Sequence, residues 1–121
     1  EKKENTYRLL YFDSEGKAEP IRLIFHYFKT EYEDARLSRE DWADRKPDTP
    51  FETLPIMEIN GGKKTLGDSV AIARFLSKTL GEGFIGKTKT DAAKADMFVY
   101  ATLDIFTPMY LVKFAEDDEK R

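Results

Sequence analysis

Leu54-Pro55-Ile56-Met57-Glu58-Ile59-Asn60-Gly61-Gly62 is the stretch that decides how this chain folds. Pro55–Ile59 reads as a short strand, Asn60-Gly61-Gly62 as a turn, and Lys63–Leu66 as the returning strand of a hairpin. Proline at the head of a strand has no N–H to donate, and X-Pro bonds adopt the cis form at low cost. If the Leu54-Pro55 bond is cis, the main-chain N–H and C=O of Leu54 face outward at a strand edge. Such an edge pairs with an extended peptide, and a helix start close by holds a carboxylate. The residues thus point to a small-peptide site.

Upstream, Tyr7–Phe12 is aromatic and aliphatic and stops at the polar turn Asp13-Ser14-Glu15-Gly16, which predicts a first strand. Glu19-Pro20 then opens a helix whose Ile21, Ile24, Phe25 and Phe28 fall on one face. Glu31–Leu37 reads as a second strand, and Ser38–Pro50, punctuated by Pro47 and Pro50, as irregular. Downstream of the hairpin, Asp68–Leu80 predicts a helix with Ile72, Phe75, Leu76 and Leu80 on one face and Gly81 as its stop. A β-α-β unit followed by β-β-α is the thioredoxin-like layout: an α/β domain with a mixed four-stranded sheet and helices on its faces. The expected division is residues 1–82 for this domain, 83–90 for a linker, and 91–121 for the start of an incomplete all-α domain. In that last part Phe98, Ala101, Ile105, Met109 and Val112 recur at helical spacing, Pro108 predicts a kink or an end near Thr107, and Glu116–Arg121 reads as a solvated tail. One or two helices cannot bury their own apolar face.

The composition excludes several classes. The chain has 121 residues, 40% hydrophobic and 36% charged, with Lys+Arg 20 against Asp+Glu 23 and a net charge of −3. That is the size of one ordinary domain, or of one domain plus a piece of another, and its mildly acidic balance without a basic cluster argues against a nucleic-acid partner. No apolar run reaches membrane-spanning length and no signal-peptide pattern is present, so the expectation is a cytoplasmic protein without a membrane. With no cysteine, a thiol nucleophile, disulfides and thiolate metal sites are absent, and no metal is expected. Any sulfur chemistry must come from the ligand. The one histidine, His26, sits in the apolar run Leu23–Phe28 and reads as a core or flank residue of a helix rather than a catalytic one.

Tyr11-Phe12, Gly16-Lys17-Ala18-Glu19-Pro20-Ile21-Arg22, Tyr32-Glu33-Asp34, Asp41-Trp42, Lys46, Pro50-Phe51, Leu54-Pro55, Ser69–Leu76 and Gly86-Lys87-Thr88 stand in a recognisable order and spacing. Together they resemble the sigma-class glutathione transferases. The likeness runs through most of residues 7–88 and continues more loosely into Asp96–Phe106. It implies a glutathione co-substrate, a small electrophilic or hydrophobic second substrate, and a homodimer.

The resemblance also implies roles. Tyr11, beside Phe12 at the end of the first strand, would donate its hydroxyl hydrogen to the glutathione sulfur; taken without the neighbouring motifs it reads as a packed strand-end residue with its hydroxyl in water. Trp42 and Lys46 would reach the glycine carboxylate, where a bare reading gives a packed indole and a surface ammonium. Leu54, before Pro55, would exchange main-chain hydrogen bonds with the cysteinyl part. Asp68 and Ser69 would hold the γ-glutamyl end, although either is also an ordinary helix cap. Asp104 would reach the γ-glutamyl amino group of a neighbouring subunit, and is otherwise a solvated aspartate. Lys17 stands near the tyrosine where relatives often carry Arg, keeping the charge but losing the planar fork. Other departures are Glu15, Glu52 in place of a common Gly, and Asp68 in place of a common Gln. They leave open a non-enzymatic, crystallin-like member of the fold, and a glutathione-dependent prostaglandin isomerase is a further alternative. If position 52 needs positive φ, Glu52 costs stability.

Overall fold

The computed structural model describes residues 4–119, and it divides into two compact units, residues 1–82 and 83–121. In the first unit the order is β1 (Tyr7–Phe12), α1 (Glu19–Tyr27), β2 (Glu33–Leu37), α2 (Arg39–Arg45), β3 (Ile56–Ile59), β4 (Lys64–Gly67) and α3 (Ser69–Leu80). The strands form one four-stranded sheet in the order β2-β1-β3-β4. β1 runs parallel to β2 and antiparallel to β3, and β4 closes the hairpin antiparallel to β3. This is the mixed, thioredoxin-like sheet that the β-α-β and β-β-α order predicts.

The central position of β1 explains its composition. Leu9, Leu10 and Tyr11 are all buried, so both faces of the strand are covered and polar alternation is lost. Tyr7, Leu9, Tyr11, Met57 and Ile59 point to one face and pack with Ala18, Ile21 and Phe25 before and within α1, and with Ile72 and Leu76 of α3. Phe25 is at the centre, stacked on Tyr32 at 4.2 Å and tilted against Tyr7 at 5.4 Å between ring centroids. The hairpin turn is tied back to the start of the chain. Thr6 N–H donates to Asn60 Oδ1 at 2.9 Å, Asn60 N–H donates to the Thr6 carbonyl at 2.9 Å, and Asn60 Nδ2 donates to Asn5 Oδ1 at 2.9 Å.

The stretch Ser38–Pro50 is not irregular. It contains α2 and a short 3₁₀ turn at Lys46–Asp48. The cause is a capping box: Asp41 N–H donates to Ser38 Oγ at 3.1 Å and Ser38 N–H donates to Asp41 Oδ2 at 3.4 Å. Two orphan helix donors are thereby satisfied in a segment with no apolar stripe.

Glu52 has φ of 52°, the left-handed region where a Cβ is crowded. Such a residue costs about 1–2 kcal/mol relative to glycine, part of which is offset by the freer unfolded chain of glycine. Glu52→Gly is therefore expected to stabilise the first unit by about 0.5–1 kcal/mol. Urea titration would show this as a raised midpoint with an unchanged slope, and a lowered midpoint would contradict it.

The second unit consists of a turn-rich segment and one helix, α4 (Lys89–Glu119). Thr88 Oγ1 accepts from Asp91 N–H at 3.1 Å and caps it, so the helix begins slightly earlier than the expected linker boundary. It also does not end at Thr107: Pro108 lies inside it. Proline removes a single ladder donor, and Ala101, Leu103, Met109 and Leu111 on either side are good helix formers, so the remaining bonds carry the helix past the gap. Met97, Phe98, Ile105, Met109, Leu111 and Val112 are exposed. The tail Glu116–Arg121 lies outside the residues whose side chains are described. No described helix is long and apolar enough to cross a membrane.

Candidate functional site

The strand registers bring most of the chemically interesting residues of the first unit to one end of the sheet. β1 ends at Phe12 opposite Leu37, so β1 and β2 finish together and Ser38 leads into α2 there. The β1–β3 ladder begins at Leu10 opposite Ile56, which leaves Pro55 and Leu54 at the same end as Tyr11 and Phe12. Gly67 lies opposite Ile56, so Asp68 and Ser69 emerge beside them. Three strand ends thus carry, in spatial order, Tyr11 and Phe12, then Leu54 and Pro55, then Asp68 and Ser69, while the end of β2 leads through Ser38 into α2, which bears Trp42 and is followed by Lys46. Three strand spacings amount to about 14 Å.

Tyr11 is the best-defined member. It is 7% exposed, and its hydroxyl oxygen accepts a hydrogen bond from Lys17 N–H at 3.1 Å. Because the oxygen is the acceptor, the phenolic hydrogen remains available, and among the described residues it goes to no protein group. Lys17 itself sits half-buried in a 3₁₀ turn, Gly16–Ala18. That turn needs glycine. Gly16 has φ of +44°, and a Cβ there would lie 2.8 Å from Tyr11 Cε2 and 2.9 Å from Cζ, with the hydroxyl closer still. Phe12 meets the Tyr11 ring edge-on at 5.7 Å and is half-buried.

The Leu54–Pro55 bond is cis, the condition on which the outward-facing edge of Leu54 depends. Leu54 packs its side chain on the core, and among the described residues its main-chain N–H and C=O have no hydrogen-bond partner. Asp68 caps α3, its Oδ2 accepting from Ala71 N–H at 3.0 Å. Its backbone, at φ 71° and ψ 125°, lies outside the regions that L residues favour. Such outliers cost on the order of 1–3 kcal/mol and persist where the surroundings over-determine them. With Asp68 used as the cap, the hydroxyl of Ser69 and the first-turn N–H groups of Ser69 and Val70 remain open at the positive end of the helix. Trp42 is half-buried on α2, and Lys46 is exposed just after it; neither side chain has a protein partner among the described residues. Asp104 is exposed on α4, in the second unit. Among the described residues no group of His, Cys, Asp and Glu is placed to hold a metal ion.

Two features escape the sequence reading. One is the contact of Gly16 with Tyr11, which joins residues five apart through a turn. The other is Arg22, buried at 6% exposure with its guanidinium 5.8 Å from the centroid of the Tyr11 ring. The signal that marks it is a charged residue between Ile21 and Phe25, in the apolar part of α1.

No family model matches the chain. Its sequence is 43% identical over 113 residues to "Hematopoietic prostaglandin D synthase" of Mus musculus, covering 93% of this chain and 53% of that protein. It is 44% identical over 93 residues to "Glutathione S-transferase 4" of Caenorhabditis elegans, covering 77% of this chain and 43% of that one. Among solved structures, the glutathione S-transferase from Ascaris lumbricoides superposes with a TM-score of 0.78 at 40% identity, over 88% of this chain and 52% of that chain. The chain spans about half the length of the curated relatives it matches.

Proposed function

We infer that this chain, which is sigma-class glutathione transferase-like in both sequence and fold, is the glutathione-binding part of a glutathione transferase. The observation that carries the reading is the unspent phenolic hydrogen of buried Tyr11, at the same end of the sheet as the free main chain of Leu54 and the start of α3. An extended three-residue peptide is about 10 Å long, and a γ-linkage lengthens it, which matches the row of strand ends. In this reading Ser69, Asp68 and the start of α3 take the γ-glutamyl end. The free main chain of Leu54, before Pro55, pairs with the cysteinyl residue, and Phe12 and Lys17 flank it. Trp42 and Lys46 take the glycine carboxylate.

Tyr11 then supplies the chemistry. A free thiol has a pKa of about 8.5, and the thiolate is the nucleophile. A hydrogen bond donated to sulfur favours the thiolate, each unit of lowering corresponding to about 1.4 kcal/mol. The thiol proton leaves to water. The sulfur lone pair forms a bond to the electrophilic carbon of a small hydrophobic substrate, and the leaving group departs with its bonding pair. A homodimer, with Asp104 directed to the ligand of the neighbouring subunit, completes the proposal, and a cytoplasmic location goes with it. A glutathione-dependent prostaglandin isomerase is the second reading, favoured by the 43% identity to the mouse protein.

The test is a calorimetric titration with millimolar glutathione, joined to the thiolate absorbance of the bound ligand. The parent is expected to bind and to show thiolate at neutral pH. Tyr11→Phe should still bind but lose about tenfold or more of the thiolate at pH 6.5, one pKa unit being a factor of ten in that range. Unchanged thiolate in Tyr11→Phe, or no binding in the parent, would overturn the reading. Turnover of an aryl halide by the same pair separates a transferase from a binding module.

A further inference from the structure

Arg22 carries a full charge out of water, and its partners show what it holds. Nη1 donates to the carbonyl of Ser14 at 2.7 Å, to that of Glu15 at 3.4 Å, and to Glu19 Oε2 at 3.0 Å. Nε donates to Asp34 Oδ1 at 3.2 Å. The other carboxylate oxygen of Asp34 accepts from Arg36 Nε at 3.1 Å, and Arg36 Nη1 donates to Asp13 Oδ1 at 2.9 Å. The turn that follows β1 is therefore gripped twice, at its carbonyls by Arg22 and at its Asp13 carboxylate by Arg36, and Asp34 of β2 joins the two grips. The next residues of that turn are Gly16, against the Tyr11 ring, and Lys17, whose N–H binds the Tyr11 hydroxyl.

The energetics say that this network acts on geometry more than on stability. Arg22 Nη2 is buried with no hydrogen-bond partner. A buried ion pair gains little over a packed apolar group, and an orphaned buried donor is a further cost. Its planar fork, however, reaches two carbonyls and two carboxylates at once, which an ammonium cannot do.

We propose that Arg22 and Asp34 are positioning residues for Tyr11: by fixing the Asp13–Lys17 turn, they aim the Tyr11 hydroxyl hydrogen at the site of the glutathione sulfur. This rests on the function inferred above. Arg22 acts through the turn, and its guanidinium over the ring face adds a favourable charge. The charged groups around the turn are Asp13, Glu15, Lys17, Glu19, Arg22, Asp34 and Arg36, and none of the acidic ones is directed at the Tyr11 hydroxyl by a hydrogen bond among the described residues.

Two variants test it, Arg22→Lys and the more exposed partner change Asp34→Ala, each read in two ways. Without ligand, amide hydrogen exchange at Lys17 is expected to accelerate about tenfold or more, while Leu9 and Leu10 in β1 stay protected. With glutathione, the thiolate absorbance at pH 6.5 is expected to fall about three- to tenfold as the thiol pKa rises by up to one unit. If Arg22→Lys does not fold, Asp34→Ala decides on the same readouts. Lower stability with unchanged Lys17 exchange and unchanged thiolate would show a merely structural role and overturn the inference. If instead Lys17 exchange responds as expected but Tyr11→Phe leaves the thiolate intact, the sulfur-directed role fails with the proposed function, while the grip on the turn is retained as a measured fact.

Discussion

Gly16→Val is expected to abolish the activated thiolate while leaving a folded sheet. A branched Cβ at position 16 would enter the Tyr11 ring, whose Cε2 and Cζ already lie 2.8 and 2.9 Å from the place that even a single methyl would occupy. The ring has little room to retreat, because Tyr11 is buried on the central strand with Phe12 against its edge. The turn must move instead, and with it the Lys17 N–H that orients the hydroxyl. The backbone adds to the effect, since φ of +44° suits glycine and crowds a β-branched residue by about 1–2 kcal/mol. The expected result is a fall of about tenfold to a hundredfold in thiolate at pH 6.5, corresponding to a rise of one to two pKa units. It would be accompanied by a loss of roughly 1–3 kcal/mol in a urea titration. Full thiolate in a folded Gly16→Val protein would mean that the tyrosine needs no such support.

Phe25→Ala is expected to have the largest effect on stability. Phe25 is fully buried on α1, stacking on Tyr32 and meeting Tyr7 of β1. Phenylalanine-to-alanine changes at such sites cost about 3–5 kcal/mol, through lost transfer energy and the cavity left behind. Domains of this size are stable by about 5–15 kcal/mol in total, so the variant should be marginal. Chemical denaturation followed by tyrosine fluorescence would measure it. A cost below about 1 kcal/mol would show that the surrounding side chains collapse into the space.

How much of this was legible in the residues differs from element to element. β1 announces itself because a central strand needs apolar residues on both faces, and Tyr7–Phe12 has them. The β3–β4 hairpin is written in Asn60-Gly61-Gly62, where Asn60 and both glycines take positive φ. Ser69–Leu80 shows its buried side through Ile72 and Leu76, and Gly81 marks its end. Glu52 was suspect for its backbone, and its φ of 52° agrees. α2 was missed because Arg39–Arg45 buries nothing and has no apolar periodicity; its only signal is Ser38 followed at the third place by Asp41. Of the two outcomes Pro108 allows, a kink or an end, the end does not occur, since one lost donor does not stop a helix whose other bonds continue. Candidate residues of the first unit were readable as a set. The arrangement around them was not, because the Gly16–Tyr11 contact and the Arg22–Asp34–Arg36–Asp13 chain join segments through tertiary packing that no local pattern records.

Tyr11 and Trp42 stand on unequal foundations. Tyr11 is part of a central strand hydrogen-bonded on both sides and walled in by the core. Trp42 rides on a seven-residue helix that buries none of its residues, held by a cap. Mutational drift at the second place leaves the interior untouched, whereas drift at the first disturbs the entire sheet. A lineage, or an engineer, retuning what this groove accepts would therefore find freedom around Ser38–Asp48 and almost none beside Tyr11.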